Sequence, residues 1–162
     1  MGVSGSGKTT VGTALAAELK ATFYDGDDFH PPENVAKMAA GIALNDEDRH
    51  PWLLRIHSLI ADHLKRGESA VIACSALKKK YRDQLRAGND GLYIVYLQGS
   101  FEQFHKRLEA REGHYMKAEL LQSQFDTLEP PSAARHTIII NSENRIEHIV
   151  NTILQDLADN PS

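Results

Sequence analysis

Gly2-Val3-Ser4-Gly5-Ser6-Gly7-Lys8-Thr9 stands at the start of the chain and decides how the rest is read. The segment fits G-x-x-x-x-G-K-[ST] at every fixed position. Glycines at this spacing let the backbone curl with its N–H groups turned inward, a concavity suited to a phosphate. The segment runs directly into Lys8–Lys20, where Val11, Leu15 and Leu19 recur at i, i+4 and i+8, as on one face of a helix. A helix N-terminus adds orphan N–H groups and the positive end of its dipole, both favourable to an anion. Gly2, Val3, Ser4, Gly5, Ser6, Gly7, Lys8, Thr9 and Thr10 are therefore candidate binders of a nucleoside triphosphate. Lys8 can reach the β- and γ-phosphates, and the Thr9 hydroxyl can ligate Mg²⁺.

Beyond this loop, short apolar runs alternate with longer amphipathic stretches, the α/β pattern. Strands are predicted over Ala21–Tyr24, Ala70–Cys74, Leu92–Leu97 and Thr137–Ile140. The last three are continuous apolar runs, as parallel strands buried on both faces should be. Helices are predicted over Lys8–Lys20, Glu33–Ala40, Pro51–Arg66, Lys78–Ala87, Phe101–Arg111, Ala118–Phe125 and Arg145–Leu157. The expectation is one domain over residues 1–162, a three-layer P-loop fold with a parallel sheet and a helical lid near residues 111–131. A phosphate loop normally follows a mid-sheet strand, and none precedes this one. An apolar slot is expected in its place, with unsatisfied backbone groups at ~1–3 kcal/mol each, and a natural start upstream of Met1.

Bulk composition narrows the partners. The 162 residues are 41% hydrophobic and 25% charged, ordinary for a globular protein, with a net charge of −4. No basic excess suggests nucleic-acid binding. No apolar run approaches the ~18–20 residues of a membrane span, and no signal peptide is evident. The single cysteine, Cys74, forms no intramolecular disulfide and fits the cytoplasm. The basic cluster Lys78-Lys79-Lys80 with Arg82 reads, taken alone, as a solvated helix face.

The carboxylates sort the kinds of P-loop protein. GTPases and motor ATPases place an acid at the end of a later strand, but the runs here end in Cys-Ser, Gln-Gly and Asn. The acids instead follow the strand after the loop helix, in Tyr24-Asp25-Gly26-Asp27-Asp28. One such carboxylate can help to hold Mg²⁺ through its water shell, and the other can accept a proton from an attacking hydroxyl. An acidic turn that merely caps the next helix is the alternative.

Five blocks carry a closer resemblance: M-G-V-S-G-S-G-K-T-T (1–10), D-G-D-D-F-H-P-P-E-N (25–34), L-N-D-E-D-R-x-P-W-L (44–53), C-S-A-L-K-K-x-Y-R-D (74–83), and R-E-G-H-Y-M (111–116) continuing to Q-F-D-T-L-E-P-P (124–131). In these the chain resembles the gluconokinase family, within the shikimate-kinase-like P-loop kinases. The resemblance implies ATP-dependent phosphorylation of D-gluconate on its 6-hydroxyl, feeding gluconate catabolism, with ATP and Mg²⁺ as cofactors. A homodimer is a family-level expectation. A kinase of another hydroxy acid such as shikimate, or a nucleotide-binding regulatory module, are the alternatives.

By the same resemblance, Asp25 lies near Mg²⁺ with Thr9, and Asp27 is the candidate base. Arg49, Lys78 and Arg82 are candidates for the carboxylate and hydroxyls of the sugar acid, since Arg grips a carboxylate bidentately and Lys acts as a point charge. For Arg49 a salt bridge within Asn45–Asp48 competes. His30 is either a hydroxyl donor or a structural histidine. Arg107 and Arg111 stand four apart before the lid, and Arg111 is a candidate for neutralising the transferring phosphoryl group; a solvated face paired to Glu109 or Glu112 is the alternative. Leu121, Phe125 and Leu128 should pack the lid rather than touch substrate, and Trp52 should lie in the core.

Overall fold

In the computed structural model, residues 1–111 and 118–160 are described. In chain order they form α1 (Lys8–Leu19), β1 (Thr22–Asp25), a short 3-10 helix (Gly26–Phe29), α2 (Pro32–Ala39), α3 (Asp46–Arg66), β2 (Ala70–Ala73), α4 (Lys79–Arg86), β3 (Ile94–Gln98), α5 (Phe101–Glu109), α6 (Ala118–Thr127), β4 (Thr137–Asn141) and α7 (Ile146–Asp159). All strand pairings between these elements are parallel. β1 pairs with β2 from Thr22 opposite Ala70 to Asp25 opposite Ala73. β3 pairs with β4 from Ile94 opposite Thr137 to Gln98 opposite Asn141.

Side chains alternate across the strands and bury against helices on both faces. Val11 and Leu15 of α1 and Ile149, Val150 and Ile153 of α7 pack with Leu97, Ile138 and Ile140, and Val71 joins them. On the opposite face Trp52, Leu53, Ile56 and Ile60 of α3 pack with Tyr81 and Leu85 of α4, and Ile72 joins them. Adjacent residues Val71 and Ile72 thus point to opposite layers, as the period of two requires. Each large side chain so buried contributes about 1.5–3 kcal/mol. A third cluster, Val3, Leu77, Phe104, Leu108 and Leu121, with Phe125 and Leu128 against it, seats α6 on α5 and the phosphate loop. Leu121 is fully buried there, the packing role expected of it.

Among the described residues the sheet is two strand pairs, not one continuous sheet. Met1 and Gly2 lie between them. Gly2 N–H donates to Ser75 O at 3.3 Å, Leu97 N–H donates to Met1 O at 3.1 Å, and the Met1 amino group donates to Val95 O. Beside these two residues lies an apolar cavity of about 480 Å³, lined by Leu15, Ile60, Val71, Ile72, Val95 and Ile153 among others. An apolar slot beside the phosphate loop is thus present, as expected.

One helix boundary differs from expectation in a way that matters to the site. α3 starts at Asp46 rather than Pro51, because Asn45 and Asp48 form a capping box. Asn45 Oδ1 accepts from Asp48 N–H at 2.8 Å and Asp48 Oδ2 accepts from Asn45 N–H at 3.0 Å. Pro51 falls inside the helix, where it forgoes one backbone bond. The extra turn and a half puts Asp46 and Arg49 on rigid helix rather than loop.

Candidate active site

A cleft of about 1200 Å³ crosses the carboxyl ends of the strands, where ligands of open parallel sheets bind. The phosphate loop forms its floor. Gly5 has φ +81, and a Cβ there would lie 2.9 Å from Phe104 O, so the loop turns and passes α5 only as glycine. The N–H groups of Gly7, Lys8, Thr9 and Thr10 have no hydrogen-bond partner among the described residues, as expected where a helix begins. The buried Ser6 Oγ also lacks one. A chain of orphaned donors around an open concavity is a built anion site. Lys8 Nζ reaches back to Val3 O at 3.0 Å. Burial lowers its pKa, opposed by Asp27 and other nearby negative groups.

β1 delivers both aspartates to this floor. Asp25 ends the strand, and its Oδ1 accepts from Asp27 N–H at 3.0 Å, which closes the turn. Gly26 is required between them, because a Cβ there would sit 2.5 Å from Ala73 O of β2. Asp27 is 76% exposed into the cleft. Its pKa is raised by desolvation against the cleft wall, then by Asp25. Thr9 and Asp25 both line the cleft. Two hard oxygen donors beside a phosphate site fit Mg²⁺, which keeps most of its waters and takes one or two protein oxygens.

One arm of the cleft is lined by His30, Trp52, Arg49 and the apolar segment Met38–Leu44. Trp52 is core, as expected, and His30 stacks on it at 4.3 Å and 15°. Trp52 Nε1–H donates to Gly26 O at 2.7 Å, tying α3 to the aspartate turn. Arg49 makes no ion pair with Asp46 or Asp48. Asp46 is taken by Lys78 at 3.0 Å, by Lys80 and by the Tyr81 hydroxyl, and these bonds hold its carboxyl well below the usual range. Asp48 is taken by Lys37 at 2.7 Å. Arg49 instead donates to Tyr81 Oη at 3.1 Å and faces the cleft.

The other expected cations divide differently. Lys78 lies outside the cleft wall, bound to Asp46. Arg82 is a correction: its buried guanidinium serves the backbone, donating to Ala76 O and Leu77 O at 3.0 Å each and to Glu129 O at 2.8 Å. It staples the loop after β2 to the segment after α6, with no atom in the cleft lining. The reason is steric: Arg82 faces inward from α4, between Tyr81 and Leu85, where carbonyls are the nearest acceptors.

At the other arm, Arg107, Arg111 and residues Ser142–Arg145 line the cleft. Arg107 is held to Ser142 Oγ at 3.1 Å and Ser142 O at 2.8 Å, and approaches Gly5 O at 3.4 Å. Of the expected lid, residues 112–117 lie outside the described residues. Gln124 of α6 opens the 124–131 block but was assigned no role from the sequence, yet its Oε1 accepts from Ser4 N–H at 2.7 Å and its Nε2 donates to Ser4 Oγ at 3.1 Å. The available signal was a polar residue beside the apolar face of Leu121, Phe125 and Leu128. Asn34 also carried no assigned role; it lies four residues after His30, one helical turn on.

A family model described as shikimate kinase matches residues 4–158. The chain is 45% identical over 174 residues to the "Probable gluconokinase" of Mus musculus, covering 97% of this chain and 95% of that one. It is 48% identical over 139 residues to the "Thermosensitive gluconokinase" of Escherichia coli K12, covering 86% of this chain and 74% of that one. A crystal structure of a gluconokinase from Sinorhizobium meliloti superposes with a TM-score of 0.89 at 44% identity, covering 98% of this chain and 89% of that one. With the phosphate loop, the aspartate turn and the two-armed cleft already in place, the chain belongs to the shikimate-kinase family of P-loop kinases and, within it, to the gluconokinases.

Proposed function

We propose that the protein transfers the γ-phosphoryl group of ATP to the 6-hydroxyl of D-gluconate, giving ADP and 6-phospho-D-gluconate. The observation that carries this is the cleft's two arms meeting at Lys8 and Asp27, with a phosphate loop on one side and Arg49 and His30 on the other. The loop N–H groups and Lys8 grip the triphosphate. Arg107, Arg111 and the Ser142–Arg145 loop flank the nucleoside. Arg49 meets the carboxylate of the open-chain acid, and His30 offers a donor to a hydroxyl. Lys78 acts one step back, holding Asp46 and so the start of α3.

The bond from the 6-oxygen to phosphorus forms as the bond from phosphorus to the bridging oxygen breaks, and ADP leaves with that electron pair. The hydroxyl proton passes to Asp27, the carboxylate that opens onto the cleft beside His30. Thr9 and Asp25 would hold Mg²⁺, which would supply neutralising charge on the phosphates. Placement and charge supply most of the acceleration in such transfers. Arg111, beside the phosphate loop, takes up charge on the moving phosphoryl group. Catalysis is assigned to the cytoplasm; no described helix is long and apolar enough to cross a membrane.

The test is an ADP-release assay with a panel of acceptors. Turnover that depends on D-gluconate supports the proposal. Turnover with shikimate and not gluconate rejects it, and nucleotide binding with no acceptor-dependent turnover points to a regulatory module.

A further inference from the structure

The buried amide of Asn34 lies behind His30, on the side away from Asp27. We propose that Asn34 is a positioning residue that fixes His30 as the neutral Nε2–H tautomer, so that the ring donates to the same acceptor hydroxyl whose proton Asp27 receives. This rests on the sugar-acid kinase reading above.

The assignment follows from hydrogen-bond bookkeeping. Asn34 is 2% exposed, and its side-chain nitrogen lies 2.7 Å from Asp48 O and 3.2 Å from His30 Nδ1. An amide nitrogen carries two hydrogens and no acceptor. Turning the amide over would set its oxygen against the Asp48 carbonyl, two acceptors in contact, so the nitrogen belongs where it stands. Both its hydrogens are then committed, one to Asp48 O and one to His30 Nδ1. Nδ1 must accept, and a proton on it would collide with the amide hydrogen. The ring's one proton therefore sits on Nε2.

Nε2 aims at the chemistry. It lies 3.8 Å from Asp27 Oδ1, too far for a direct hydrogen bond. A hydroxyl oxygen at ~2.8 Å from both atoms fits off the line joining them, accepting from Nε2–H and donating to the carboxylate. The ring cannot tilt to choose another partner, because it is stacked flat on Trp52. Burial, with Arg49 nearby, lowers the His30 pKa to about 4, which agrees with a ring that stays neutral. The charged groups that face it are Asp27 and Arg49; Asp48 presents only its backbone oxygen. The device thus orients the attacking oxygen without adding a positive charge that would weaken Asp27 as a base.

The experiment is long-range ¹H–¹⁵N correlation on histidine-labelled protein, with His30 assigned by the loss of its signals in His30→Gln. Wild type should show the Nε2–H pattern unchanged from pH 8 to pH 5. The isosteric Asn34→Asp, which puts an acceptor behind Nδ1, should move the proton to Nδ1 or raise the titration to near the ordinary value. It should lower kcat/KM for gluconate by about 30-fold, and His30→Phe should lower it by about 100-fold. An Nδ1–H pattern or titration near pH 6.5 in wild type overturns the assignment. So does normal kcat/KM in His30→Phe. Wild type with the Nε2–H pattern and no turnover of gluconate rejects the substrate reading and leaves the tautomer standing.

Discussion

Replacing Arg82 separates two roles that one charge could play. Its guanidinium is 5% exposed and ends on three backbone oxygens, two in the loop after β2 and one at Glu129. In Arg82→Met the stem volume is roughly kept and all three donors are lost. Leu77 O keeps Glu129 N–H at 2.9 Å, so Ala76 O and Glu129 O are the two acceptors that lose their partner. Each acceptor left unpaired costs ~1–3 kcal/mol, and water will enter to relieve part of that. The sum is about 2–4 kcal/mol, toward the upper end of what single substitutions do. For a chain of this size each kcal/mol lowers Tm by about 2–4 °C, so a fall of roughly 4–16 °C is expected. Urea titration gives the free energy and differential scanning fluorimetry gives Tm. Below the new transition KM for gluconate should change little, and kcat should fall modestly as Glu129 and the base of α6 loosen. A variant with near wild-type Tm and a sharply raised KM would refute this reasoning and return Arg82 to the substrate.

Asp27→Asn should cut kcat by about 10²–10⁴ while leaving ATP affinity, measured by calorimetry, nearly unchanged. Lys8→Ala should abolish turnover in the ADP-release assay with the far-UV circular dichroism spectrum retained. In Gly26→Ala the new Cβ would meet Ala73 O at 2.5 Å, so the aspartate turn must shift and both Tm and kcat should drop. His30 gives a stability prediction with a definite sign. Its folded pKa of about 4 lies below the ordinary 6.5, so the unfolded chain takes up the proton first. Stability should therefore fall as pH drops from about 6.5 through 4, by up to about 3 kcal/mol from this group, and His30→Gln should flatten that slope in urea titrations across pH.

The phosphate loop, the helix after it and the aspartate turn were legible because each is contiguous. Gly2–Thr9 specifies its own backbone curl, and Asp25-Gly26-Asp27 its own Asx turn, whatever surrounds them. The parallel strands were legible because burial on both faces leaves an unbroken apolar run, as in Ala70–Cys74. The start of α3 was misread because Pro51 is a strong local stop signal, and the capping box of Asn45 and Asp48 overrode it.

Which cation faces the cleft was a different matter. Arg49, Lys78 and Arg82 carry the same charge within the motifs that suggested a substrate role, and only Arg49 lines the cleft. Lys78 ends on Asp46, 32 residues away, and Arg82 on Glu129, 47 residues away. Gln124 meets Ser4 across 120 residues. The sequence alone thus determined where the phosphate loop lies and which turn carries the carboxylates, since backbone geometry there is set by neighbouring residues. Tertiary structure decided which long side chain faces the cleft, because a flexible, charged side chain goes to whichever acceptor the packed elements bring near, and that acceptor lies far along the chain.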